Sequence, residues 1–117
     1  MGSFAAGQVA VLPFPFSDLT SSKFRPALLL ADVGRGDWIA CQVTSNPYAD
    51  SRALALRTED FAQGSLDRAS FARPGKLFTA HESLFARVAG ELRPARLDAV
   101  RQAVAELVLG RPAGVAL

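Results

Sequence analysis

The sequence predicts a mainly β fold: a small, strongly bent antiparallel barrel with a single helix at its C-terminal end. Five short segments rich in apolar and β-branched residues, each bounded by turn residues, indicate strands. One stretch near the C-terminus has the periodicity of an amphipathic helix. The chain has 117 residues, which fits one domain over residues 1–117.

The predicted strands are residues 8–14, 26–32, 37–45, 53–56 and 71–80. The second opens with Pro26, which a strand start tolerates. The turn signal Gly-Arg-Gly at 34–36 introduces the third strand, and Arg-Pro-Gly at 73–75 is expected to break the fifth.

The third predicted strand has two distinct faces. Ile39, Cys41 and Val43 alternate along the chain and are expected to face the core. The residues between them point to the opposite face, which carries the polar side chains Gln42 and Thr44. We therefore expect Gln42 and Thr44 to lie on a more polar surface, outside the core.

The terminal helix is predicted from about Pro94 to Leu109. Proline suits the first turn of a helix, and Gly110 is typical of a residue that ends one. The apolar stripe expected to dock on the sheet is Leu97, Val100, Val104, Leu107 and Val108.

Two shorter turns are predicted from capping residues. Thr58 is expected to cap a single turn that Gly64 ends. Thr79 and Glu82 have the spacing of a capping box at the start of a short helix.

The composition leaves the cytoplasm as the expected location, and its arginine bias is compatible with phosphate binding. Thirteen Lys and Arg residues against eleven Asp and Glu give a net charge of +2, and all cations except Lys23 and Lys76 are arginine. The arginine fork matches phosphate geometry, although a GC-rich genome produces the same bias. The single Cys41 allows no internal disulfide, and we find neither a signal peptide pattern nor an apolar run of about 18 residues.

Half of the residues are hydrophobic, which is a high share for so small a domain. Some apolar surface is therefore expected to be covered by a partner, and a second copy of the chain is the simplest one.

Familiar catalytic and metal-binding motifs are absent from the sequence. His81 is expected to be a capping or exposed residue and Cys41 a structural thiol. The polar residues left as candidates lie at strand ends and in loops: Asp18, Arg25, Thr44, Ser45, Asn46, Arg73 and Lys76. Taken one by one, an ordinary solvated role competes with a functional role at these positions.

Several segments, in this order, resemble the MazF/PemK-like toxin family, the ribosome-independent endoribonucleases of type II toxin–antitoxin pairs. They are GQVAVLPFPFSDL at 7–19, SKFRPALLL at 22–30, CQVTSN at 41–46, DFAQGSL at 60–66 and SFARPGKLFT at 70–79. The resemblance runs from Gly7 to about Leu109.

The resemblance implies an SH3-like, CcdB-type barrel with a C-terminal helix, assembled as a homodimer. It also implies that Arg25 and Thr44 meet in a groove and cleave single-stranded RNA without a metal or cofactor, leaving a 2′,3′-cyclic phosphate and a 5′-hydroxyl. It further implies a cognate antitoxin, whose acidic, partly disordered tail would compete with RNA. The group that acts as general base is left open.

Residues expected to bind RNA surround this pair. They are Phe16, Asp18, Lys23, Phe24, Ser45, Asn46, Arg73 and Lys76. Phe16 or Phe24 could stack on unpaired bases, whereas Phe14 is expected to belong to the core. Some relatives carry an acidic residue shortly after the arginine of the Arg-Pro segment, where this chain has Gly75. For Arg73 we therefore expect phosphate binding, and a catalytic role is left open.

Two other functions compete with RNA cleavage. A CcdB-like inhibitor of DNA gyrase would need exposed aromatics at its C-terminal helix, but this chain has no aromatic residue after Phe85. A catalytically silent module that binds nucleic acid or an acidic peptide is the other alternative.

Overall fold

The computed structural model of the chain describes residues 4–14 and 23–112. Within these residues the chain forms seven strands and one regular helix. The strands are β1 (Gln8–Phe14), β2 (Lys23–Gly34), β3 (Asp37–Thr44), β4 (Leu54–Leu56), β5 (Phe61–Gly64), β6 (Ser70–His81) and β7 (Arg87–Leu92). The helix is α1 (Pro94–Val108).

The strands form one antiparallel sheet in the order β4-β6-β3-β2-β1-β7-β5, which bends into a nearly closed barrel. The long strands β2 and β6 flank β3, so this part of the sheet carries most of the pairing. The predicted fold class, a small antiparallel barrel with a C-terminal helix, is therefore confirmed.

Both faces of the sheet bury apolar side chains. One cluster, which includes Val9, Leu28, Cys41 and Val43, receives α1. A second cluster occupies the other face, and its largest members are Leu12, Leu29 and Trp38. Because both faces are covered, alternation along a strand does not by itself decide which residues are exposed.

This double core corrects one prediction for β3. Cys41 and Val43 are buried as expected, but Ile39 is 36% exposed. Ile39 pairs with Ala31 and Thr79, neither of which is buried, so it lies beyond the edge of the first cluster. Gln42 and Thr44 are half-buried, on the face predicted for them.

The predicted break at Arg-Pro-Gly is a bulge within one continuous strand. Cys41 pairs with Leu77 while its neighbour Gln42 pairs with Arg73, so residues 74–76 have no partner on β3. A proline is acceptable there because its position forms no hydrogen bond with β3. A Cβ atom on Gly75 would lie 3.4 Å from the Leu107 side chain, and the bulge therefore lies close to α1.

Strands β5 and β7 were not predicted, and two predicted turns are shifted. The first turn spans Thr58–Asp60 with Arg57 as its capping residue, and β5 follows it directly. Gly64 ends that strand with φ +65°, where a Cβ atom would collide with the Ala89 carbonyl oxygen of β7. The close pairing of β5 with β7 thus requires a glycine at this position.

The second turn spans Glu82–Leu84 and is capped by His81 in place of the predicted Thr79. The Nδ1 atom of His81 accepts a hydrogen bond from the Ser83 backbone at 3.1 Å. Thr79 lies within β6, whose pairing with β3 continues past it and leaves it no capping role.

Helix α1 begins at the predicted residue and ends one residue early, with Gly110 at φ +79° just beyond its C-cap. Leu97 and Val100 are buried, but Val108 is 72% exposed, so the predicted stripe is wrong at its last position. No described helix is long and apolar enough to cross a membrane.

Candidate active site

A cavity of about 370 Å³ opens where β2 begins and β3 ends. These strands are neighbours in the sheet, and segment 65–70 and strand β7 provide the opposite wall. The polar and charged side chains that line it include Arg25, Thr44, Ser45, Asp67, Arg68 and Arg87.

The sheet register brings Arg25 and Thr44 to the same place. Ala27 on β2 pairs with Gln42 on β3 in antiparallel fashion. The pairing of β2 with β3 ends at Ala27 and Gln42, and Arg25 and Thr44 each lie two residues beyond that pair, so both lie at the same end of these two strands. Both residues line the cavity, Thr44 half-buried and Arg25 exposed.

The hydroxyl of Thr44 is oriented by the loop that follows it. Its Oγ1 atom accepts a hydrogen bond from the Asn46 backbone N–H at 3.1 Å. Within the described part of the chain it donates to no acceptor, so its hydrogen is available to a bound group. A threonine hydroxyl can accept and donate a hydrogen bond at the same time. In Thr44 the accepted bond positions the hydroxyl, and the donated bond is left for a ligand.

The loop after β3 is held by a series of side-chain to backbone hydrogen bonds. Asn46 Oδ1 accepts from the Tyr48 backbone N–H at 2.9 Å. Asp50 Oδ1 accepts from the Arg52 backbone N–H at 2.9 Å, and its Oδ2 accepts from Arg73 Nε at 3.0 Å. These bonds fix the loop relative to Thr44 on one side and to β6 on the other.

Arg73 is the residue on β6 that anchors this loop. Its Nε atom bonds to Asp50, and its Nη1 atom donates to Gln42 Oε1 at 3.0 Å. Burial alone would raise the pKa of Asp50, but hydrogen bonds from Arg52 and Arg73 and the charges of both arginines lower it below its usual value. The guanidinium of Arg73 does not line the cavity, and its role in binding phosphate stays a prediction.

The other predicted RNA-binding residues are distributed unevenly around the cavity. Phe24, 63% exposed, and Ser45 line it. Lys23 at the start of β2 and Lys76 in the β6 bulge are exposed but lie outside its lining. Asn46 lies outside the lining as well.

The predictions for Phe16 and Asp18 fall outside the described residues. Phe14 makes an edge-to-face contact with Phe78, with ring centroids 4.6 Å apart, and packs against the second core cluster as expected.

Three charged residues of the cavity were missed in the sequence. Arg87 lies on β7 opposite Val11, and Val11 in turn pairs with Pro26 beside Arg25. Asp67 and Arg68 precede β6 in the segment after β5. Three guanidinium groups therefore face one carboxylate among the described lining residues, which favours an anionic ligand.

His81 and Cys41 have structural roles, as predicted. The Nε2 atom of His81 lies 3.2 Å from the Arg35 carbonyl oxygen, and its Nδ1 accepts the capping bond. Cys41 is fully buried, and burial raises the pKa of its thiol to about 12. Among the described residues, no three His, Cys, Asp or Glu side chains are grouped so that they could hold a metal ion.

No protein-family model and no curated protein matches the chain. Solved structures do. A mycobacterial endoribonuclease in complex with its cognate antitoxin is 18% identical, with 94% of this chain and 98% of that chain covered at a TM-score of 0.71. A chain of the MazE–MazF crystal structure from Deinococcus radiodurans is 22% identical, with 95% and 100% covered at 0.71.

The Mycobacterium tuberculosis toxin MazF-mt6 is 15% identical, with 90% of this chain and 98% of that chain covered at a TM-score of 0.67. Likeness at such identities shows the fold. The chain therefore has the fold of MazF toxins, as the resemblance of its segments predicted.

Proposed function

We propose that this chain is the toxin of a type II toxin–antitoxin pair, a sequence-specific endoribonuclease that cleaves single-stranded RNA without a ribosome or a metal ion. The observation that carries the proposal is the shared cavity of Arg25 and Thr44, with Arg68 and Arg87 in its walls. The fold that surrounds this cavity is that of structures described as endoribonucleases.

RNA supplies its own nucleophile, the 2′-hydroxyl. The site must therefore align that oxygen with the phosphorus and stabilise the charge of the transition state. The 2′-oxygen of one nucleotide attacks the adjacent phosphorus, the bond from phosphorus to the 5′-oxygen breaks, and a 2′,3′-cyclic phosphate and a 5′-hydroxyl result. The Arg25 fork holds two phosphate oxygens, and the Thr44 hydroxyl donates to the same phosphate as charge develops in the transition state. Arg68 and Arg87 attract the flanking phosphates.

The 2′-hydroxyl must lose a proton, and an arginine is a poor acceptor because it stays protonated at any ordinary pH. Asp67 is the one carboxylate among the described lining residues, and histidine is absent from them. We therefore assign proton acceptance to Asp67. The leaving 5′-oxygen takes up a proton from solvent water as the bond to phosphorus breaks, and Asp67 returns the proton of the 2′-hydroxyl to solvent, which balances the step.

Base and partner contacts complete the proposal. Phe24, exposed at the cavity mouth, stacks on an unpaired base of the substrate. A cognate antitoxin places its acidic tail in the same cationic cavity and displaces RNA. In support of such a partner, two of the similar structures are a complex of an endoribonuclease with its cognate antitoxin and a complex of MazE with MazF. Large apolar side chains remain exposed, Val33, Leu84 and Val108 among them, and a second copy of the chain is their expected cover.

Cleavage of an end-labelled single-stranded RNA in the presence of EDTA tests the proposal. Arg25→Ala and Thr44→Ala should each slow the single-turnover rate by roughly 100- to 1,000-fold, the loss typical of one transition-state donor. Arg35→Ala is the matched control, because Arg35 is an exposed arginine in the turn after β2, at the opposite end of that strand from Arg25 and outside the cavity lining. Arg35→Ala should cleave at the wild-type rate, with cyclic phosphate ends.

Three outcomes would contradict the proposal. A wild-type protein that binds RNA without cutting it would be a silent module. A wild-type protein that cuts only with added metal, or an Arg25→Ala variant as active as Arg35→Ala, would require a different site.

A further inference from the structure

Tyr48 is an exposed aromatic residue in an uncommon backbone conformation, four residues after Thr44. Its side chain is 59% exposed, and its φ angle is +55°. Ala49 follows with φ +57°. Two consecutive residues other than glycine in the left-handed region are costly, and such backbone persists where the surroundings impose it.

Two side-chain hydrogen bonds hold the backbone before Tyr48. The Tyr48 backbone N–H donates to Asn46 Oδ1 at 2.9 Å, and the Asn46 backbone N–H donates to Thr44 Oγ1 at 3.1 Å. A chain of two hydrogen bonds thus connects Tyr48 to the hydroxyl at the cavity. Four residues span at most about 14 Å, so the ring lies within reach of a nucleotide that flanks a phosphate bound there.

The Tyr48 ring makes a cation–π contact with Arg73. The guanidinium carbon of Arg73 lies 5.1 Å from the centroid of the Tyr48 ring. Arg73 is held in place by Asp50 and Gln42, each at 3.0 Å. Because the Arg73 guanidinium lies over one face of the ring while the residue as a whole is 59% exposed, the opposite face is the one left for a ligand.

We propose that Tyr48 is a stacking platform for one base of the bound RNA, next to the phosphate held by Arg25 and Thr44. This inference rests on the proposed function. Every nucleobase has a flat π-face, and an exposed aromatic ring on a positively charged surface is the usual partner of unpaired bases. Because the loop bonds and Arg73 already fix the ring, little conformational entropy is lost when a base stacks on it.

A structural role competes with this one, since the ring also shields the ion pair of Arg73 with Asp50. The two roles differ in what a variant changes. If Tyr48 only shields the ion pair, its removal should lower the free energy of unfolding in urea and should not depend on which RNA is bound. Stacking would alter KM, and it would do so for one position of the RNA.

Two substitutions separate the roles. Tyr48→Phe keeps the ring. Tyr48→Asn removes it, yet asparagine tolerates a positive φ, so the loop conformation is retained. Circular dichroism and urea unfolding establish that both variants fold. Trp38, the single tryptophan, is buried, so a fluorescent base is the cleaner probe of stacking.

The experiment first maps a cleavage site with the wild-type protein. Short RNAs carrying that site then receive 2-aminopurine at each flanking position in turn, with a 2′-deoxy nucleotide at the cut to prevent cleavage. Wild type and Tyr48→Phe should quench the fluorescence at one position, and Tyr48→Asn should not. In cleavable RNA, Tyr48→Asn should raise KM roughly 5- to 150-fold at an unchanged saturating single-turnover rate.

An abasic nucleotide at the quenched position should abolish the KM difference between wild type and Tyr48→Asn. If wild type cleaves RNA while Tyr48→Asn has the wild-type KM and the wild-type quenching, Tyr48 has no stacking role and the proposed function stands. If wild type cleaves no RNA, the proposed function is overturned and this inference with it.

Discussion

Removing Asp50 is the sharpest test of how the loop beside Thr44 is held. Asp50 accepts from the Arg52 backbone at 2.9 Å and from Arg73 Nε at 3.0 Å. The Asp50 side chain is 15% exposed and that of Arg73 is 16% exposed, so solvent screens the pair only in part. Asp50→Ala deletes both bonds and leaves Arg73 with Gln42 as its polar partner among the described residues.

The expected loss follows from these contacts. A hydrogen bond to a charged group contributes about 1.5–3 kcal/mol, and breaking a fully buried ion pair costs about 3–5 kcal/mol. For two bonds in a partly open pair we expect the free energy of unfolding to fall by about 3 kcal/mol. The Arg73 bond alone should appear as a coupling of about 1.5–2 kcal/mol between Asp50→Ala and Arg73→Ala.

The pH dependence has a definite sign. Hydrogen bonds and the two arginine charges outweigh burial and lower the pKa of Asp50 below its ordinary value of 3.8. A carboxylate whose pKa is lowered by folding stabilises the protein fully above the unfolded pKa. That contribution is lost as the pH falls through the folded pKa. The stability difference between wild type and Asp50→Ala should therefore be full at neutral pH and shrink in acid below 3.8.

Urea unfolding of wild type, Asp50→Ala, Arg73→Ala and the double variant measures both quantities. Asp98→Ala is the matched control, since Asp98 is an exposed carboxylate on α1 and its loss should change stability by at most about 0.5 kcal/mol. An Asp50→Ala variant within about 0.5 kcal/mol of wild type at neutral pH would contradict the loop anchoring. A loss that is equally large in strong acid would contradict the assigned ionisation.

The remaining predictions concern the cavity and the core. Asp67→Asn should lower the single-turnover cleavage rate by roughly 100-fold or more, which is the usual contribution of a general base. The control Asp98→Asn should leave that rate unchanged. A fully active Asp67→Asn variant would show that another group accepts the proton. Because burial raises the pKa of Cys41 to about 12 and leaves it no exposed surface, a thiol reagent should label it only after unfolding in urea. Rapid labelling of the folded protein would contradict the packing of β3.

The local sequence pattern indicated the orientation of Thr44, whereas the role of Arg25 came from the family resemblance. Strand alternation turned Thr44 away from Cys41 and Val43, and that face is the one on which the structure places it. The proline and glycine at the ends of α1 likewise mark its limits, because capping depends on residues next to each other in the chain. Such local rules predicted the barrel and the strand that carries Thr44, but the second strand was predicted from Pro26 and in fact begins at Lys23, so Arg25 lies in its unpredicted first part.

The walls of the cavity depend on long-range pairing, which no local pattern shows. Strand β7 carries Gly90 and Glu91, and β5 carries Gln63 and Gly64, so neither has the alternation of a half-buried strand. β5 forms because β7 supplies its hydrogen-bond partners, and β7 forms between β5 and β1, where Arg87 pairs with Val11. Arg87 was therefore missed although its residue type suits the site.

Tyr48 was missed for a related reason. Its orientation depends on the Asn46 side chain and on Arg73, which is 25 residues further along the chain. Nothing in the segment from Thr44 to Asp50 shows that an arginine of β6 will lie under the ring.

Not all of the arginines in this arginine-rich chain are available to bind RNA. Arg96 donates twice to the Ala55 carbonyl oxygen, at 3.1 and 2.7 Å, and Arg101 donates twice to that of Leu30, at 3.0 and 2.7 Å. These guanidinium groups tie α1 to the sheet. Part of the arginine excess is thus structural, and the cationic cavity depends on position more than on net charge.

A crystal structure with RNA that carries a 2′-deoxy nucleotide at the mapped cut would show whether one phosphate joins Arg25 and Thr44. We expect the scissile phosphate oxygens within about 3.2 Å of both the Arg25 guanidinium and Thr44 Oγ1. A phosphate bound by only one of them, or RNA that passes outside this cavity, would show that the two residues do not form one catalytic site.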